Sequence, residues 1–239
     1  MEKLIYLLWG DAPEGSDALR DRLVGGLAPE LIELGAERVS VNVDDSGSNC
    51  PSPVPTPHGE APHIAQVSFW LDCYDQRAPL EECIDLVGLR FAGYLVTESL
   101  YTDYGDNEWS TERSWPAGAR SPAVLTVCLI HRPSGMAYRE WIDAWHGVQS
   151  PVSARIQPRM RYVRNEVVRG LTDGAPEIDG IVEEAWPSAD HITDPMLFFN
   201  AFDDRDVLNA NIELMLERVG RFIDMDRMRN VTMSEYLFY

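Results

Sequence analysis

The sequence predicts an α+β fold built from two tandem β-α-β-β-α-β units, and three observations carry that expectation. The second half rereads the first: Leu4-Ile5-Tyr6-Leu7-Leu8, ahead of the turn-rich Gly10 to Gly15, is answered by Leu125-Thr126-Val127-Cys128-Leu129 ahead of Arg132-Pro133-Ser134-Gly135. Arg38-Val39-Ser40-Val41-Asn42 is answered by Arg161-Tyr162-Val163-Arg164-Asn165, and Val96 to Tyr101 by Met233 to Tyr239. Each half also alternates β-rich runs with helical periodicity in the same order. The repeats are expected at 1–115 and 120–239. They differ where the first reads Gly25-Gly26-Leu27-Ala28-Pro29 and the second reads Trp145-His146-Gly147 and then Pro151.

In the first repeat, Lys3 to Trp9 and Arg38 to Val43 read as strands, being β-branched and aromatic-rich runs bounded by Gly, Asp and Ser. Between them Ser16 to Leu34 reads as a helix, with Ser16 placed to cap it and Leu19, Leu23, Leu27, Leu31 and Leu34 at helical spacing. Gly25-Gly26 weakens its middle. Asp44 to Pro62, rich in Pro, Ser and Gly, has no apolar period and reads as a loop long enough to serve as a lid. A strand at Ile64 to Leu71, a helix near Leu80 to Val87 and a strand at Phe91 to Tyr101 complete the unit.

Tyr104 to Ser121 reads as the connector. The second repeat then predicts a strand at Ala123 to Ile130, a helix from about Met136 to Trp145, and strands at Arg159 to Val168 and Ile178 to Trp186. A helix over Asp203 to Phe222 follows, with Leu208, Ile212, Met215, Val219 and Phe222 on one face, and then a strand at Thr232 to Phe238. A β-α-β-β-α-β unit is the ferredoxin-like motif, whose four-stranded sheet carries both helices on one face. The other face needs a cover. Two such units in one chain supply it for each other, which predicts an intramolecular pseudo-dimeric α/β barrel with a cavity between the sheets.

Composition narrows the function. A chain of 239 residues with a formal net charge of −19 repels phosphate backbones and anionic lipid, so nucleic acid and membranes are not expected partners. Leu4 to Trp9 is too short to cross a bilayer and runs into Asp11 and Glu14, not a cleavage site, so a cytoplasmic protein is expected. Cys50, Cys73, Cys83 and Cys128 show no CxxC pairing and no histidine at zinc-ligand spacing, and Cys73 and Cys128 lie in apolar runs where a thiol packs as a small hydrophobe. His58 and His63 flank the Pro-rich loop and His191 lies near a turn, without the spacing of a metal site; no Gly-rich phosphate loop, nucleophilic serine motif or HExxH occurs.

The run Trp141-Ile142-Asp143-Ala144-Trp145-His146-Gly147, with Pro151 following and Arg161-Tyr162-Val163-Arg164-Asn165 opening the next strand, resembles the EthD-domain family of the dimeric α/β barrel superfamily. Asp179 to Glu183 and the closing Glu235-Tyr236 are similar to that family's later segments. The likeness covers most of Ala123 to Tyr239, and more weakly Lys3 to Tyr101. It implies a hydrophobic small molecule as ligand, in a superfamily implicated in polyketide cyclisation, cofactor-free oxygenation of aromatics, lactone isomerisation and, in separate branches, haem chemistry. The sequence departs from the family pattern in one respect: Val148-Gln149-Ser150 separate His146-Gly147 from Pro151, an offset that rotates the histidine relative to a cavity. In the first repeat Leu27 takes the histidine's place.

His146 is the leading candidate, because an imidazole beside a cavity takes or delivers a proton near neutral pH; the alternative is a histidine capping the end of the Met136 to Trp145 helix. Tyr162, which replaces Val39, is the second catalytic candidate, able to orient a ligand oxygen, with sheet packing as the alternative. Strand alternation puts Tyr162, Arg164 and Glu166 on one face and Arg161, Val163 and Asn165 on the other. Trp141, Trp145, His131 and Asn165 are the ligand-binding candidates, weighed against core packing for the tryptophans and a shared structural hydrogen bond for Asn165 and Asn42. The basic run Arg155, Arg159, Arg161, Arg164, Arg169 either receives a ligand carboxylate or pairs with acids elsewhere. The expectation is a cofactor-independent enzyme acting on an aromatic or polyketide-like molecule with His146 as acid/base. A non-catalytic binder or decayed scaffold of the same fold is the alternative, an axial haem ligand at His146 a third reading, and a homodimer of fused barrels a further partner expectation.

Overall fold

In the computed structural model, which describes residues 1–10, 15–54 and 61–239, eight antiparallel strands close into one barrel. They are β1 (Glu2–Trp9), β2 (Glu37–Val43), β3 (His63–Leu71), β4 (Arg90–Thr102), β5 (Val124–Ile130), β6 (Arg161–Gly170), β7 (Gly180–Trp186) and β8 (Arg229–Leu237). The order round the barrel is β1-β3-β2-β8-β5-β7-β6-β4. The first four strands therefore run β4-β1-β3-β2 and the last four β8-β5-β7-β6, joined by seams between β2 and β8 and between β4 and β6. Every expected strand forms, with ends shifted by a few residues. Asp11, Glu14, His58 and the centre of the Asp44 to Pro62 loop lie outside the described residues.

Both first helices depart from expectation in the same way. Ser16 to Leu34 resolves into α1 (Ser16–Arg22), a π turn (Leu23–Leu27) and α2 (Ala28–Glu33). The helix expected to stop at Trp145 continues: α4 (Tyr138–Ile142) passes into a π turn (Asp143–Gln149) and then α5 (Ser150–Ile156). A π turn absorbs extra residues without ending the helix, and Pro29 and Pro151 each lie in the first turn of the α segment that follows, where a missing N–H costs little. His146 therefore sits inside a helix, which removes its reading as a C-terminal cap. α3 (Ala78–Asp85), two short helices α6 (Asp190–Thr193) and α7 (Pro195–Phe198), and α8 (Arg205–Phe222) complete the set. Asp204 caps α8 by accepting from the Asp206 and Val207 amides at 2.9 and 3.2 Å.

Register divides each strand into an inner and an outer face. Leu4, Tyr6 and Leu8 of β1 pack outward with Leu19, Leu23, Leu27 and Leu31, whereas Ile5 and Leu7 pack inward with Tyr94, Leu125, Val127 and Met233. Eight strands enclose a space that side chains fill, and here they do. One end is apolar, and the other holds a buried ionic network in which Lys3 donates to Glu98 at 2.6 Å and to Asn165 at 2.9 Å, and Gln66 donates to Glu183 at 2.8 Å. Arg161 pairs there with Glu235 at 3.0 Å, and the connector inserts Tyr104, whose hydroxyl donates to Glu235 at 2.6 Å. The void left beside Lys3 and Arg161 is about 10 Å³. The cavity expected between the sheets is thus absent from that end, because charged and aromatic side chains occupy its place.

Candidate functional site

A cavity of about 560 Å³ lies instead on the outside of the barrel, between the outer faces of β5 to β8 and the helices that cover them. Its sheet wall is Cys128, Ile130, Tyr162, Val182 and Glu184, and its helical wall Trp145, Gln149, Ser153, Met215, Val219 and Phe222. Phe198 and Phe199 close one side, and Pro51 to Val54 of the long loop another. In the first half the matching space is solid: Leu23, Leu27 and Ala28 pack directly on Tyr6, Val41 and Phe69.

The polar wall is built from few groups. Trp145 Nε1 donates to the Tyr162 hydroxyl at 3.2 Å, and that hydroxyl stands 3.4 Å from Ser150 Oγ. Ser150 Oγ donates to the Trp145 carbonyl and accepts from Arg164 Nη1 at 2.9 Å, so the Tyr162 proton is the one available for the Ser150 contact. Burial pushes the Tyr162 phenol above its ordinary pKa against the lowering pull of Arg159, keeping it a neutral donor. Arg159 lies 3.9 Å over the Tyr162 ring, pairs with Glu184 and donates to Ser153 Oγ at 2.7 Å. Gln149 donates to the sulfur of Met215 at 2.9 Å, and its buried Oε1 meets no donor; Arg159 Nε is also buried without an acceptor. Burial pushes the Cys128 thiol up, so it stays protonated.

Of the residues expected from sequence, Tyr162 and Trp145 line this cavity. Gly180 seats the Trp145 ring, since a Cβ there would come within 2.9 Å of it. His146 is the neighbour of Trp145, with ring centroids 4.7 Å apart, but is not among the lining residues. Its Nδ1 faces Glu166 at 3.6 Å, its Nε2 is buried without a partner, and burial followed by Arg164 lowers its pKa against the pull of Glu166. Trp141 is core, donating to the Phe222 carbonyl at 3.0 Å. Asn165 faces the barrel interior, where it donates to the Ile181 carbonyl and to Glu183. His131 lies at a barrel mouth, in a different cavity. The basic run splits: Arg161, on the inner face of β6, goes to the interior, and Arg159, which precedes that strand, to the cavity. Gln149, Ser153, Glu184 and Met215 carried no local signal, since only the closed sheet and α8 bring them together.

No histidine lines the outer cavity among the described residues, so an axial haem ligand from His146 does not fit it. Among the described residues no group of three His, Cys, Asp or Glu is arranged to hold a metal ion, and no helix is long and apolar enough to cross a membrane.

Neither a family model nor a curated protein matches the sequence. Among solved structures, an anthrone oxidase-like protein is similar at 13% identity and a TM-score of 0.54, over 100% of this chain and 91% of that one. That likeness is one of fold. A proposed monooxygenase from Lactobacillus acidophilus NCFM aligns at 10% identity and a TM-score of 0.47, over 100% of this chain and 94% of that one. A variant of chlorite dismutase from Candidatus Nitrospira defluvii aligns at 9% and 0.47, over 98% and 90%. At 13% identity the likeness to the anthrone oxidase-like protein speaks for the fold alone, and chemistry has to be argued from the cavity.

Proposed function

We propose that this dimeric α/β barrel chain is an EthD-type, cofactor-independent enzyme that takes a hydrophobic, aromatic or polyketide-like molecule into the outer cavity. One observation carries the reading: an apolar chamber of ligand size whose few polar groups include a buried acceptor, Gln149 Oε1, left without a donor. Buried polar groups are normally paired, and an orphan in a cavity wall marks where a ligand hydroxyl would bond. Tyr162 is the residue that orients a ligand oxygen, and Trp145 and Phe222 supply aromatic walls. The run Trp141 to Gly147 supports the EthD assignment.

The chain is, in this reading, a tandem ferredoxin-like fusion of 1–115 and 120–239. Its support is the common strand order of the two halves and the common π turn before Pro29 and Pro151. Aligned on those prolines, Leu27 corresponds to Gln149, and Val24 to His146. The first half is then scaffold, its pocket filled by leucine.

His146 is the proposed acid/base, a role separable from binding because its ring is outside the lining. The first substrate to test is anthrone with dioxygen, on the strength of the anthrone oxidase-like neighbour. Oxidation of its methylene carbon consumes one O2 and yields anthraquinone and water. Quinone formation by the wild type, lost in His146→Ala while anthrone still binds, is expected; unchanged turnover in that variant overturns the role. The second reading, a binder without turnover, is favoured by the position of His146 and predicts binding with no product.

A further inference from the structure

We propose that Glu166 is the positioning residue for His146, holding the imidazole in the tautomer with its proton on Nδ1, so that Nε2 is the atom that takes a proton. The inference rests on the acid/base role given to His146 above and names the residue that gives that role its direction. Glu166 lies on the outer face of β6, and His146 lies in the π turn Asp143–Gln149 that covers that face. One Glu166 oxygen stands 3.6 Å from His146 Nδ1, and the other accepts from the Tyr138 hydroxyl of α4. At that separation the contact is looser than a hydrogen bond, but it sets the carboxylate charge on the Nδ1 side of the ring. Both side chains are only 17% exposed, so water and salt screen the contact in part. Across the ring, Nε2 is buried without a partner among the described residues.

Burial and then Arg164 hold the pKa of His146 below its ordinary value against the pull of Glu166, so the resting ring is neutral and has one proton to place. Which nitrogen carries it is set by the partners the two nitrogens meet. A carboxylate accepts and does not donate, so it draws the N–H to Nδ1 and leaves the lone pair on Nε2. Arg164, the competing charge, is directed elsewhere: its Nη1 donates to Ser150 Oγ at 2.9 Å, and its guanidinium lies 4.9 Å over the Tyr101 ring. A proton taken at Nε2 leaves its electron pair on the ligand and makes an imidazolium whose charge Glu166 faces.

The first half supplies an internal comparison. Aligned on the prolines, His146 corresponds to Val24, and with Arg38 matched to Arg161, Glu166 corresponds to Val43. Val24 and Val43 pack in one apolar cluster, so both members of the pair are replaced together in the half whose outer space is solid.

The test is the tautomer of His146 in the ¹⁵N-histidine-labelled full chain, read from two-bond proton–nitrogen correlations and assigned with His146→Ala. Wild type is expected to show a protonated Nδ1 and an unprotonated Nε2. In Glu166→Val, the residue the first half carries, and in Glu166→Gln, which keeps the size of the side chain, the Nε2–H form should become the major one. Unfolding curves identify the folded variants, and either one suffices. With anthrone and dioxygen, kcat in those variants should fall about tenfold at unchanged KM. An Nε2–H ring in the wild type, a wild-type tautomer ratio in a folded Glu166 variant, or an unchanged kcat beside a shifted tautomer overturns the proposal. The tautomer is read without substrate, so its failure is distinct from failure of the acid/base role, which His146→Ala decides by turnover.

Discussion

The Gln149 amide donates to the sulfur of Met215 at 2.9 Å while its own oxygen is buried without a donor. Sulfur is a weak acceptor, so both ends of this buried amide are poorly satisfied, a state that costs on the order of 1–3 kcal/mol. Gln149→Leu, the residue the first half carries at Leu27, is therefore expected to raise stability by about 1 kcal/mol in denaturant unfolding. The same variant should weaken 1-naphthol binding about tenfold in tryptophan-quenching titrations. Destabilisation together with unchanged affinity would contradict the assigned role.

Tyr162→Phe should act in the opposite direction on stability. It leaves Trp145 Nε1 without an acceptor and removes a donor to Ser150, at a cost of about 1–3 kcal/mol. Affinity for 1-naphthol should fall as well, whereas His146→Ala should leave it unchanged. Isothermal titration of the three proteins separates the two residues.

Much of the barrel was legible in the sequence because strand signals are local. Leu4 to Leu8, Ile64 to Leu71 and Leu125 to Ile130 announce themselves by β-branched and aromatic content, and all form strands. The π turns were not legible, since Leu19, Leu23, Leu27 and Leu31 recur at a spacing an unbroken α-helix shares. Nor was the filling of the barrel: Lys3 meets Glu98 and Asn165 only after β4 pairs with both β1 and β6. Tyr162, which lines the outer cavity, stands out in the sequence because it interrupts the match with Val39. Gln149 was hidden because its partner Met215 comes from α8.

Acid should unfold the chain partly through His63. Its folded pKa of about 4 lies below the ordinary value of 6.5, so folding favours the neutral ring. That stability is present above the unfolded pKa and is lost as pH falls from about 6.5 to about 4, by roughly 3 kcal/mol in total. His63→Gln should flatten the unfolding free energy across that window. A variant with the wild-type pH dependence would exclude His63 as the source.

Glu183 tests the ionic interior. Burial raises its pKa, but Lys3, Arg161 and the hydrogen bonds from Gln66 and Asn165 outweigh it and leave a lowered value. Its contribution is present above the unfolded glutamate range and is lost as pH falls through the folded pKa. Glu183→Ala strands Lys3 and Arg161 and should cost about 3–5 kcal/mol, read from the urea midpoint. A loss under about 1 kcal/mol would show that the network is not coupled to folding.

Methionine methyls report most directly on whether the outer cavity is the ligand site. Met215, Met225 and Met228 line it, while Met1, Met136, Met160, Met196 and Met233 do not. With ¹³C-methyl-methionine protein titrated with 1-naphthol, saturable shifts confined to Met215, Met225 and Met228 are the predicted result. Shifts centred on Met233 in the barrel interior, or no saturable shift at any of the eight, would contradict a ligand chamber between the sheet and α8.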